Sequence, residues 1–376
     1  MKWHTFGFLI AASAWVLACS ESALDETETE ETSEQGGEIA DDEPTGSTGA
    51  GGTTSGEGML DGDCPQAAHF LDIATSQGAG GNYPDPTLSV TCQDDYLLVE
   101  GNGIPHYTFV QTTPNALTAA NHAYQIPLNP QVADAPTDIP LLGFVGVAVN
   151  GAPFFGPNEG GIPQAEQFGD PIYNNDNSSA SADGSGTLMD GCLGHTANEY
   201  HYHALLDICL TPESLTEDPW FLPERDTTLP SSVVGYAADG FPVYGRYGCL
   251  DADCAEVVEF KSSWDMIGDP TTFAWDAYAF SEKNDPQYLD RCNGRVGPDG
   301  TYRYHETAGF PYILGCFSGT AVGAGVEEGG GPGGGGPGSG APDGDMNCEE
   351  GETERCCGDG VCDGPETADN CAEDCA

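Results

Sequence analysis

The chain has almost no basic side chains. Nine Lys and Arg stand against 61 Asp and Glu among 376 residues, a formal charge of −52. So acidic a chain repels phosphate backbones and anionic headgroups, which excludes DNA and RNA as partners. It attracts divalent cations instead. Three familiar catalytic signatures are missing: a Gly-x-Ser-x-Gly elbow, a His-Glu-x-x-His pair and a P-loop. An enzyme on this chain would therefore be metal-assisted, or would use His with Asp or Glu as acid and base. Long helical periodicity is also absent. Only one long apolar run occurs, at the start.

That run extends from Phe6 to Ala18 behind Lys2. It reads as a secretory signal over residues 1–19, too short to span a membrane. It ends Val16-Leu17-Ala18-Cys19, which resembles a bacterial lipobox. The expectation is a diacylated Cys19 that holds the protein to the membrane of a Gram-negative cell envelope, at the outer membrane or cell surface. The alternative is an ordinary cleaved signal followed by a chance cysteine. Of the 15 cysteines, removing Cys19 as lipid carrier leaves an even number, suited to an oxidising compartment.

Residues 20–62 are crowded with Glu, Asp, Thr, Ser and Gly and hold few large apolar side chains. Such a segment cannot offset its ordering entropy, so it reads as a disordered acidic tether. A second linker, 321–346, is rich in glycine. Between them, 63–320 is long enough for one substantial core. Residues 347–376 form a small cysteine-rich module.

The globular region shows short apolar or alternating runs punctuated by Asn-Gly, Asp-Gly and Pro. Segments 96–100, 142–149 and 232–237 read as strands. Helix is expected only near 212–218 and 283–291. The predicted fold class is mainly β: a single globular domain of two pseudo-repeated halves with long loops, plus the small disulfide-rich module.

The repeat rests on two motifs in matched order. Val145 to Gly156, containing Asn150-Gly151, precedes Asp190-Gly191-Cys192-Leu193-Gly194-His195 and Tyr200-His201-Tyr202-His203. Val234 to Gly245, containing Asp239-Gly240, precedes Asp290-Arg291-Cys292-Asn293-Gly294-Arg295 and Tyr302-Arg303-Tyr304-His305. The matched copies suggest equivalent bridges, Cys192–Cys209 and Cys292–Cys316. Cys249–Cys254 and Cys64–Cys92 follow from proximity, although spacing alone does not fix connectivity.

The copies differ where chemistry would lie. Alternate strand residues share a face, so His201 and His203 can converge on one ion, with His195 as third ligand. Zinc, copper and iron all accept such imidazoles. The opposing reading is aromatic packing with hydrogen-bonded histidines. Against it, three of only eight histidines fall within nine positions. The other copy replaces two of them with Arg295 and Arg303, which keep positive charge and cannot ligate. Those arginines are expected to hold carboxylates, from the protein or from an acidic ligand. His305 agrees between copies and could serve architecture or catalysis. Asp239 is either a turn-capping residue or a charged specialist in acid–base work.

Taken together, Tyr200-His201-Tyr202-His203, the Asp-x-Cys-x-Gly-His lead-in, Val147 to Gly151, Ala238 to Gly245 and Asn102-Gly103-Ile104-Pro105-His106 resemble the YHYH-domain family of secreted or envelope proteins. The resemblance covers roughly 90–320 and implies no defined activity. It draws attention to His106 as a further metal-ligand candidate, although the family pattern sets one more residue between that proline and histidine.

The C-terminal module resembles short cysteine-rich repeats of secreted myxobacterial proteins. Six cysteines in so short a stretch make disulfides stand in for a core. Asp359, Asp363, Glu366, Asp369 and Asp374 are either calcium ligands or solvated surface acids. The leading expectation is an envelope lipoprotein displaying a metal-binding domain. The alternative is a non-catalytic adhesion or carbohydrate-binding protein with structural histidines.

Overall fold

A computed structural model describes residues 58–60, 64–159, 169–176, 187–197, 199–271 and 273–324. Cys19, most of the acidic tether, most of the glycine linker and the acidic side chains of the cysteine-rich module lie outside them; the tether's residues 58–60 instead bond to the fold, Met59 bridging Leu71 and Leu60 donating to the Phe70 carbonyl at 2.9 Å.

The fold is mainly β. β1 (Leu88–Cys92), β2 (Tyr96–Gly101) and β3 (His122–Pro127) make an antiparallel sheet in that order. In β3 the buried residues His122, Tyr124 and Ile126 alternate with exposed ones, the pattern of a strand covered on one side.

The central sheet has eight strands. β4 (Phe144–Ala148) and β5 (Pro153–Phe155) flank the Asn150-Gly151 turn. β6 (Gly194–Thr196) and β7 (Tyr200–Tyr202) form a hairpin. β8 (Val233–Ala237) and β9 (Pro242–Tyr244) flank Asp239-Gly240. Two short pairs follow: β10 (Tyr247–Cys249) with β11 (Val257–Glu259), and β12 (Trp264–Met266) with β13 (Tyr278–Phe280). β14 (Gly294–Val296) and β15 (Tyr302–His305) close the sheet. Its order is β14-β15-β9-β8-β4-β5-β7-β6.

That order reads alike from either end. β4 and β8 are antiparallel at the centre, with Val147 opposite Tyr236. On each side a hairpin strand runs parallel to its neighbour, β7 along β5 and β15 along β9. Both β4 and β8 are buried along their whole length, which explains their near-continuous apolar sequence. Gly146 is required here, because a Cβ would sit 2.2 Å from the Phe154 ring and 2.5 Å from the Tyr236 carbonyl.

The helical expectations need correction. Only one short turn, Pro212–Leu215, falls near 212–218, with a second at Pro219–Phe221. Proline starts each turn, and Pro219 ends the possibility of continuing the first. Segment 283–291 is not helical. Asp285 precedes a proline, which disfavours helical backbone. The Asp285 carboxylate accepts the Gln287 amide at 3.0 Å, and Lys261 bonds Gln287 and Leu289 across a bridge. The helix that does form, α1 (Pro171–Asp176), is capped by Asp170, whose carboxylate accepts the amides of Ile172 and Tyr173 at 2.9 Å.

Disulfides link Cys64 to Cys92, Cys192 to Cys209, Cys249 to Cys254 and Cys292 to Cys316. The second and fourth bind the turns ahead of β6 and β14 to the core.

Candidate metal centre

The turn before β6 is built around Asp190. One carboxylate oxygen accepts the amides of Cys192 at 2.8 Å and Gly194 at 3.1 Å; the other accepts the Tyr200 hydroxyl at 2.7 Å. Leu193 takes a left-handed φ of 61° to close the turn. Asp290 repeats the pattern, accepting Cys292 and Gly294 amides at 2.9 Å and the Tyr302 hydroxyl at 2.9 Å. Each carboxylate thus ties its own loop to the next strand.

The tyrosines of the Tyr-His-Tyr-His stretch face the core. Tyr200 and Tyr202 are fully buried, and each shares a 2.7 Å hydrogen bond with the Tyr107 hydroxyl. Asn150 donates to the Tyr202 hydroxyl at 2.9 Å. This fixes the register of β7 and turns the alternate residues to the other face.

On that face three histidines meet. Opposite pairing of β6 and β7 places His195 across from His201, and their Nε2 atoms are 3.1 Å apart. His203, one residue beyond the strand, brings its Nε2 to 3.1 Å from that of His201. Glu159, on the segment after β5, completes the group. Its carboxylate lies 3.1 Å from His195 Nε2, 2.9 Å from His203 Nε2 and 3.8 Å from His201 Nε2. All three rings are buried; the Glu159 side chain is 16% exposed. A tetrahedral ion with bonds of about 2.0–2.1 Å sets neighbouring donors about 3.3–3.4 Å apart. The observed spacings bracket that value.

The outer nitrogens decide what faces inward. His201 Nδ1 is 3.1 Å from the Glu199 carbonyl, and His203 Nδ1 is 3.1 Å from the Gly156 carbonyl. A carbonyl only accepts, so both Nδ1 atoms carry the proton and donate. In the neutral rings, both Nε2 lone pairs then point at the same space. Burial pushes the His201 imidazole down to about 3 and also lowers His203. Burial alone would raise the Glu159 carboxyl, yet the three imidazoles beside it hold it well below the usual carboxylate range. Lone pairs facing each other at 3.1 Å repel unless a cation or proton lies between them. Phe155 stacks on His201 at 4.1 Å and fixes that ring. The four residues form a group able to hold a metal ion.

The family model described as YHYH protein matches residues 123–319. The chain belongs to the YHYH family. Comparison with curated proteins and with solved structures returns no match. The match covers the whole of the YHYH hairpin and its counterpart β14–β15, and begins after His106.

The remaining metal and catalytic candidates among the described residues stand away from this cluster. His106 is fully buried away from the cluster: its Nε2 meets Ser214 Oγ at 2.8 Å, and its Nδ1 meets Asn150 Nδ2 at 3.1 Å. His305 lies on β15, at the opposite sheet edge from the cluster. Its Nδ1 donates to the Gly245 carbonyl at 2.9 Å, as that of His203 does to Gly156. Asp239 is buried and accepts the Tyr304 hydroxyl at 2.6 Å and the Gly319 amide at 2.9 Å. It thus anchors Tyr304 from the matching turn position, accepting from that hydroxyl where Asn150 donates to that of Tyr202. A protein carboxylate meets the arginine expectation at Arg303 only. Arg303 pairs with Asp299 at 2.5 Å, whereas Arg295 donates to the carbonyls of Cys249 and Leu250. No carboxylate among the described residues reaches Arg295, because this end of the loop presents backbone instead.

Glu159 was not legible beforehand. It is one of 61 acidic residues, and no spacing rule ties it to a hairpin that follows 36 positions later. The one usable signal is its place three residues after Gly156, where the other motif has Gly248 at the matching position after Gly245.

Proposed function

We propose that this protein is an envelope lipoprotein whose YHYH domain binds one divalent transition metal through His195, His201, His203 and Glu159. The observation that carries the reading is the inward convergence of three Nε2 atoms on a carboxylate, with the outer nitrogens of two rings anchored to carbonyls. That second layer fixes tautomer and ring orientation as it does in known metal sites. Imidazole with carboxylate suits zinc, copper or iron. Four disulfides suit a protein outside the cytoplasm, and the Val16-Leu17-Ala18-Cys19 ending supports lipid anchoring.

Four protein donors fill a tetrahedron, which is the pattern of a binding site. Turnover would require Glu159, the only partly exposed member, to yield its place to water or substrate. The alternative of purely structural histidines loses ground to the two inward lone pairs, since hydrogen-bonded packing would satisfy them.

Elemental analysis of wild type and His201→Ala, each purified without a histidine tag, tests the proposal. Stoichiometric zinc, copper, iron or manganese in the wild type and its loss in the variant are expected. A wild type that carries none of these and binds none on titration overturns it.

A further inference from the structure

The opposite edge of the sheet holds a small cavity lined by basic side chains. It measures about 90 Å³ and is lined by Ser231, Tyr244, Phe260, Arg295, Arg303 and His305, among others. At about 30 Å³ per water, it has room for about three waters, or for one small molecule in their place. Two of the chain's six arginines meet here without a carboxylate between them. The Arg295 guanidinium stacks on Phe260 at 4.6 Å and that of Arg303 on Tyr244 at 4.5 Å, so aromatic faces hold both planes.

Among the residues that line this cavity, two buried polar atoms have no partner among the described residues: Arg303 Nε and His305 Nε2. His305 is only 3% exposed. Leaving such atoms unmatched is costly, which points to a ligand. Their chemistries differ. Arg303 Nε is a donor. His305 Nδ1 donates to the Gly245 carbonyl, so the neutral ring presents an Nε2 lone pair, an acceptor. Burial, with the two arginines beside it, favours that neutral ring. Arg295 has donors left after its two carbonyl bonds, since a guanidinium carries five N–H groups. The one acid on either arginine, Asp299, sits at an exposed rim and engages Arg303 through a different nitrogen.

We propose that this cavity binds a small oxyanion that also carries a hydroxyl, of the size of glycolate or hydrogen phosphate. Its charged oxygens accept from Arg303 and Arg295, and its hydroxyl donates to His305 Nε2. The two edges of the sheet then hold opposite guests, a cation in the histidine cluster and an anion here.

The test uses the full chain with its imidazoles labelled with nitrogen-15, titrated with glycolate, hydrogen phosphate and acetate. Glycolate and hydrogen phosphate are expected to move the His305 Nε2 resonance and leave that of His106 in place. Acetate, with the charge and no hydroxyl, should bind at least about tenfold more weakly than glycolate. Arg303→Gln and, separately, Arg295→Lys should each weaken glycolate by about tenfold or more. The proposal fails if neither hydroxylated anion moves His305 in the wild type. It also fails if acetate matches glycolate, or if both variants bind as the wild type does.

Discussion

Removing the metal should lower the melting temperature of this protein, and removing one imidazole should abolish most of that response. A ligand that binds only the folded state stabilises it by RT ln(1 + [L]/Kd), about 4.1 kcal/mol at a thousandfold excess over Kd. For domains of 150–250 residues each kcal/mol shifts the melting point by about 2–4 °C, so the expected gain is about 8–16 °C. His201 is the central donor, 3.1 Å from both neighbouring Nε2 atoms. In His201→Ala, a loss of about a hundredfold in affinity leaves about 1.4 kcal/mol at the same metal concentration, a gain of about 3–6 °C. The substitution also removes a buried ring stacked on Phe155, which lowers both the loaded and the chelated curves. Comparing each protein with and without chelator cancels that cost. Calorimetry on wild type and variant gives the four melting points. A wild type unmoved by chelator, or a variant that keeps the full gain, would refute the assignment of these four donors.

Acid should destabilise the domain through its buried neutral histidines. Burial pushes His106 and His305 down to about 3, below the 6.5 of an unfolded chain, so the unfolded state takes up the proton first. The stability each contributes is complete above pH 6.5 and is lost toward pH 3, at about 1.4 kcal/mol per pH unit. Urea melts of His106→Gln across that range should show a slope shallower by about one proton; an unchanged slope counts against the burial argument. Opening the Cys192–Cys209 bridge, whose partners are 17 apart in sequence, should cost about 3 kcal/mol in Cys192→Ser/Cys209→Ser by urea melt. Peptide mapping without reduction should recover this pair and Cys292–Cys316, and recovery of Cys192 with Cys292 would contradict both. Cys19→Ala should release the protein from membranes or block its maturation; unchanged fractionation would remove the lipid anchor from the proposal.

What could be read from the chain was mostly what repeats or alternates. Segment 96–100 became β2, and β4 and β8 fell within the two other expected strands, because β-branched and aromatic residues there meet a pleated, covered surface. The three histidines could be grouped because strand periodicity puts His201 and His203 on one face and a hairpin returns His195 opposite. Glu159 could not, since only the sheet brings the segment after β5 beside β7. The Arg295 contacts escaped for a related reason: its partners are carbonyls, and every residue supplies one. Segment 283–291 was misread because tertiary bonding to Lys261 and the Asp285-Pro286 step outweighed local composition.

The carboxylate clamp at Asp190, repeated at Asp290, has a consequence for how such a site can change. Each clamp grips backbone amides and a tyrosine of its own hairpin, and no atom of the side chain at 195 or 295 takes part. The geometry that presents those two side chains is therefore set before their identity matters. Histidine in one hairpin and arginine in the other thus stand on the same kind of clamped turn. For the two sites proposed above, exchanging one guest for the other would change side chains and one acid, with the hydrogen bonds of the clamp left as they are.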